Sequence, residues 1–209
     1  QAGQVAQHPD RKLAAAQEML YDDRLLVKSL DFPDARFELR PVRPSPAPLR
    51  YRSRAKFHLD RGSGRLCFFR RRSHEPVRLA ECHLLEPGLD ALREAMGPAL
   101  ARARLRPGEV ALEWSEHEAK GAALLRLADA GPGARRRAEE LLAAVPSLGG
   151  VLLEEGGEAR GRPPAAAVGE PVLLQERVPG EPARGLRRSR PDVFAQANRG
   201  ANARLVELA

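Results

Sequence analysis

The chain has 209 residues and a formal net charge of +7 at pH 7, long enough for one large or two small domains with a real core. Its only cysteines, Cys67 and Cys82, exclude a disulfide framework. No apolar run approaches the roughly 20 residues that span a bilayer, and the N-terminal QAGQVAQHPDRK lacks a signal-peptide core, so a monomeric cytoplasmic protein without membrane contact is expected.

Taken in chain order, residues 9–28 carry Leu13, Ala16, Met19 and Leu20 at helical spacing. PVRPSPAP at 41–48 is a proline-rich connector that cannot be regular structure. Residues 50–59 and 65–71 are extended and flank DRGSG at 60–64, which predicts a β-hairpin. PVRLA at 76–80 is a short third strand. A helix follows at 87–103, with Leu89, Leu92, Met96 and Leu100 on one face. Strands are expected at 109–115, 121–128 and 148–155, with a helix at 133–145. Residues 165–178 are extended and can pair with 185–189, and the pattern is helical again from Val193. Strands and helices interleave without a strict βαβ rhythm. The expected fold class is therefore α+β, with a central, mainly antiparallel sheet and packed helices.

The positive charge favours a polyanion, nucleic acid first. A compositional bias would give the same total, because Arg, Ala, Gly and Pro are all abundant. The arrangement is more informative. Arg50, Arg52, Arg54 and Lys56 occupy every second position of an extended segment, so their side chains would share one face of a strand. Arg grips phosphate bidentately, and Arg70, Arg71 and Arg72 would extend the patch across the hairpin. These seven residues are the candidate RNA-binding set. The structural alternative is a charged edge strand that blocks aggregation.

Four stretches together carry a family resemblance. Tyr51-Arg52-Ser53-Arg54-Ala55-Lys56-Phe57 leads to Leu66-Cys67-Phe68-Phe69-Arg70 and then to Val77–Leu85, ending in Cys82-His83-Leu84-Leu85. Near the C-terminus, Phe194-Ala195-Gln196-Ala197-Asn198 follows Arg190-Pro191-Asp192-Val193. This order resembles the S-adenosylmethionine-dependent RNA uracil-5-methyltransferases of the RumA/TrmA type. The resemblance implies an N-terminal helical segment at 1–40, a central RNA-binding domain at 41–189 and, from 190, the first helix of a truncated Rossmann-like methyltransferase domain. It implies methyl transfer to uracil C5 in rRNA or tRNA, hence RNA methylation and rRNA processing, with S-adenosyl-L-methionine as cofactor. Gln196 would contact that cofactor, and Phe194 would line the same region. The alternative for this stretch is a plain helix start, with Phe194 in the core and Asn198 as a cap.

The chain also departs from the family's pattern. Many members hold an iron–sulfur cluster on four cysteines. Cys82 matches one, but the upstream C-x-x-C positions fall on Gln1 and Gln4, and glutamine is a poor soft-metal ligand. No iron–sulfur cluster and no zinc site is expected. The family's chemistry needs an activated cysteine, a base in reach and a glycine-rich turn for the cofactor, none of which has a counterpart here. The chain alone is therefore expected to be inactive. The alternative function is a stand-alone RNA-binding module, and a structural domain with biased composition is a third reading. A serine hydrolase lacks its G-x-S-x-G elbow.

Overall fold

The computed structural model describes residues 44–128, 130–156, 164, 166–177 and 185–208. The helix expected at 9–28 lies outside them. The chain divides into Gln1–Pro44 and Ser45–Ala209, and every described strand and helix belongs to the second unit.

The DRGSG turn closes as expected. β1 (Arg54–Asp60) and β2 (Arg65–Phe69) pair antiparallel around it. The Asp60 carboxylate accepts hydrogen bonds from the Ser63 hydroxyl, the Gly62 N–H and Arg78 Nε. The Ser63 bond, followed by that of Arg78, lowers the Asp60 pKa to about 2. β3 keeps only Pro76–Val77 of the longer strand expected. α1 (Pro87–Arg102) starts on a proline, whose missing N–H costs nothing in the first turn. β4 (Glu109–Ser115) and β5 (Lys120–Leu127) form a second antiparallel pair. α2 (Pro132–Ala144) then carries the chain to β6 (Leu148–Glu155), parallel to β5. β7 (Ala166–Gly169) closes the sheet. Its strand order is β3-β2-β1-β4-β5-β6-β7, and only β5–β6 is parallel. A mainly antiparallel α+β sheet is thus present.

Period-two alternation sorts the strands into two faces. One face sends Phe57, Leu66, Leu112, Leu125, Val151 and Leu153 into the main core. There they meet Leu89, Leu92, Met96 and Leu100 of α1, and Leu141 of α2. α1 presses so close to β2 that a Cβ on Gly97 would sit 2.6 Å from the Gly64 carbonyl oxygen. Within α1, Arg93 and Asp90 are buried together. Arg93 Nε donates to Asp90, and its guanidinium also donates to the Leu79 and Ala80 carbonyls. That pair holds the loop before α1 down on the core.

The other face carries a small apolar patch, Ala111, Leu124 and Leu152. At one end of the patch a second hairpin, β8 (Leu173–Glu176) with β9 (Leu186–Ser189), covers the sheet. The Ser115 hydroxyl donates to the Leu174 carbonyl, Ser189 to Glu113, and Gln175 Nε2 to the Trp114 carbonyl. The single extended segment expected at 165–178 is therefore two strands in two sheets. Pro171 between them has no N–H to continue the ladder. α3 (Arg199–Leu208) begins six residues later than the helix expected from Val193. Asn198 caps it, its side-chain oxygen accepting the Ala201 N–H at 2.9 Å. Residues 191–198 form instead a strap across the sheet. No helix among the described residues is long and apolar enough to cross a membrane.

Candidate functional site

The strap and the second sheet face enclose an open cleft of about 390 Å³. Arg54, Lys56, Leu124 and Arg126 line its floor, and Pro191–Ala195 and Ala197 line its other side. Phe194 stands at this cleft with 83% of its surface exposed, beside Val193 at 57%. A phenylalanine so placed is available for contact with a ring-bearing ligand. The reading of Phe194 as core is thereby excluded, whereas Asn198 does serve as the helix cap.

The row of cations at 50–56 differs from the expected one. The strand begins at Arg54, and Arg50 has a left-handed φ of 55°. Arg50 and Arg52 run beside 83–86 instead, with the Arg50 N–H on the His83 carbonyl and the Arg52 N–H on that of Leu84. Two of the four alternate cations, Arg54 and Lys56, share the sheet face that was expected to hold them all.

Most of the row is also engaged internally. Arg50 pairs with Glu81 and lies 3.8 Å from Asp90. Arg54 donates to the Val193 carbonyl at 2.7 Å and to that of Pro191 at 3.1 Å, fastening the strap to β1. Lys56 Nζ lies 3.4 Å from Glu109, although its side chain stays 64% exposed. Nε of Arg52 is buried without a hydrogen-bond partner. At the hairpin tip Arg70 pairs with Glu75 at 3.1 Å. Arg71 and Arg72 are exposed there, Arg72 with a φ of 58°.

Arg126, which the sequence reading did not single out, lines the cleft near the end of β5. Its Nη1 lies 2.5 Å from Glu109 and its Nε 2.7 Å from Glu154. The Glu154 hydrogen bond raises the Arg126 pKa above the usual arginine range. Its place could have been read from alternation, because Arg126 is in phase with Leu124 along β5. On the strap, Asp192 pairs with Arg190, and that bond lowers the Asp192 pKa below the usual carboxylate range. Lys56 and Arg126 are thus paired with carboxylates beside the cleft, and Arg54 with strap carbonyls.

Gln196 is exposed on the strap, with its amide oxygen and NH2 group available for hydrogen bonds. It is not among the residues that line the cleft. Phe194 and Gln196 cannot enclose an adenosyl cofactor by themselves; they fit only as one edge of such a site. Cys67 and Cys82 are both buried, and burial raises the Cys67 thiol above its ordinary range. The Cys82 N–H donates to Asp90 at 3.1 Å. Among the described residues, no group of three or more His, Cys, Asp or Glu side chains is placed to hold a metal ion.

No protein-family model matches the chain, and no curated protein matches it. Among solved structures, it is similar to a tRNA (uracil-54, C5)-methyltransferase of Pyrococcus abyssi, solved in complex with S-adenosyl-L-homocysteine. The TM-score is 0.62 at 12% sequence identity, over 88% of this chain and 44% of that one. The chain therefore has the fold of part of that protein and spans less than half of its length.

Proposed function

We propose that these residues form the RNA-binding part of an S-adenosylmethionine-dependent RNA uracil-C5 methyltransferase acting on rRNA or tRNA. The observation that carries this reading is the exposed Phe194 on a strap over a cation-bearing cleft, in a fold found within a tRNA uracil-C5 methyltransferase. Phe194 gives an unpaired base a stacking surface. Lys56 can leave Glu109 to meet a phosphate, because its side chain is mostly exposed. Arg71 and Arg72 reach a neighbouring stretch of backbone from the hairpin tip. Arg54 acts mainly as a positioning residue, holding the strap by its carbonyls. Gln196 belongs to the edge of the cofactor site, and residues from 190 onward begin the methyltransferase domain.

A second reading is an RNA-binding module that works with a separate catalytic chain. Both thiols are buried, and a nucleophilic cysteine needs an accessible thiolate, so either reading draws the nucleophile from outside these residues. Methyl transfer to uridine by this polypeptide alone would overturn both readings.

The first test is binding of a uridine-containing single-stranded RNA. Phe194→Ala should lose roughly 1–3 kcal/mol of affinity with the salt dependence unchanged, because stacking carries no charge. Arg71→Ala with Arg72→Ala should instead flatten the salt dependence. Full affinity in the Phe194 variant would remove the cleft from the RNA path.

A further inference from the structure

The strap has a second cleft on its other side. It measures about 330 Å³ and lies between the strap and β9. Arg187, Arg188 and Arg190 supply its polar lining, and Val172, Val193 and Phe194 its apolar lining. Val193 and Phe194 thus belong to both clefts, so the exposed phenylalanine stands on the divide between them.

The two clefts differ in the state of their cations. In the first, Arg54 is spent on strap carbonyls, and Lys56 and Arg126 face Glu109 and Glu154. In the second, among the described residues, only Arg190 is paired with a carboxylate, that of Asp192. Arg188 is exposed. Arg187 is half-buried, and its Nε is shut away from solvent without a hydrogen-bond partner. An Nε–H denied both water and a protein acceptor is costly, and an anion that binds the remaining N–H groups of that guanidinium offsets the cost of burying its charge. Cations already paired to carboxylates gain little from a phosphate, whereas unpaired ones release their counterions when it binds.

We propose that the β9 arginines Arg187 and Arg188 bind the phosphates of the RNA strand flanking the nucleotide held at Phe194. The strand would cross the strap, with one base against Phe194 and the next phosphates in the β9 cleft. This inference rests on the function proposed above and extends its RNA path to a hairpin outside the cation set read from the sequence.

The experiment titrates fluorescently labelled single-stranded RNA over a range of salt concentrations. Arg187→Ala with Arg188→Ala is compared with Phe194→Ala and with the unaltered chain, after thermal melting has shown that each is folded. The β9 pair of substitutions should weaken binding about tenfold and reduce the salt slope by roughly 0.7 per lost phosphate contact. Arg187→Lys with Arg188→Lys should restore most of the slope, which a purely structural role would not. If Arg187→Ala disturbs folding, Arg188→Glu alone, at an exposed position, should still lower both affinity and slope. Unchanged affinity and slope in the β9 variants, with Phe194→Ala impaired, would overturn this inference and leave the proposed function standing. Impaired β9 variants with Phe194→Ala unaffected would keep the β9 site and remove the cleft. An unaltered chain that fails to bind RNA would sink both.

Discussion

Arg50, Arg72 and Arg104 each hold a left-handed backbone that L-residues adopt at a cost. Arg104 shows why such a conformation persists. It follows the last turn of α1, where its N–H donates to the Ala101 carbonyl and that of Leu105 to Leu100. This paired closure is a Schellman motif, which favours glycine at the left-handed position. The Arg104 side chain is exposed, so little packing depends on it. Arg104→Gly should therefore raise stability by about 0.5–1 kcal/mol in urea denaturation. A loss of stability would mean that the side chain contributes more than the backbone strain costs. Asp60 is the opposite case, a residue whose hydrogen bonds match its role. Its folded pKa of about 2 is below the ordinary 3.8, so its contribution is present above pH 4 and lost only as pH falls through the folded value.

At the level of elements, the β8–β9 hairpin is held on the sheet by few polar bonds. Ser189 donates to Glu113, which is 2% exposed and whose second carboxylate oxygen has no partner. Removing the hydroxyl leaves the carboxylate buried with neither oxygen satisfied. Ser189→Ala should cost about 1–3 kcal/mol by urea denaturation. Adding Glu113→Leu should recover part of that loss, since the uncompensated charge is then gone. If the double variant is no better than the single one, the bond to Ser189 is not what offsets the burial of Glu113. The positions of β8 and β9 also explain why one predicted segment became two. The residues of 165–178 read as one extended segment, but Pro171 and the left-handed Gly169 take the chain off one sheet and over its face.

Across the whole molecule, the net charge of +7 is a poor guide to how much charge RNA can meet. Arg50, Arg54, Lys56 and Arg70 are engaged with carboxylates or carbonyls of the chain itself. If the seven cations read from the sequence all met phosphates, the salt slope would be about −5, at roughly −0.7 per contact on single strands. If Arg71, Arg72, Arg187 and Arg188 are the main contacts, it should be about −3 by the same rule. Measured binding of single-stranded RNA between low and physiological salt separates the two values. A slope near −5 would mean that the internal ion pairs open when RNA binds.

The order of the elements was legible from local pattern. Apolar spacing gave the strands at 109–115 and 148–155 and the faces of both central helices, because period and burial are written in adjacent residues. The DRGSG turn was legible for the same reason. The Phe194-x-Gln196-x-Asn198 stretch was visible as a pattern, but its spacing could not tell a buried phenylalanine from an exposed one. The partners of the cations were not legible either. Arg50 meets a carboxylate 31 residues away, and Arg54 meets a carbonyl 139 residues away. A sequence shows how many charges a chain carries and which share a strand. Whether a cation is free for a phosphate depends on groups brought to it from distant parts of the chain, and only the tertiary structure decides that.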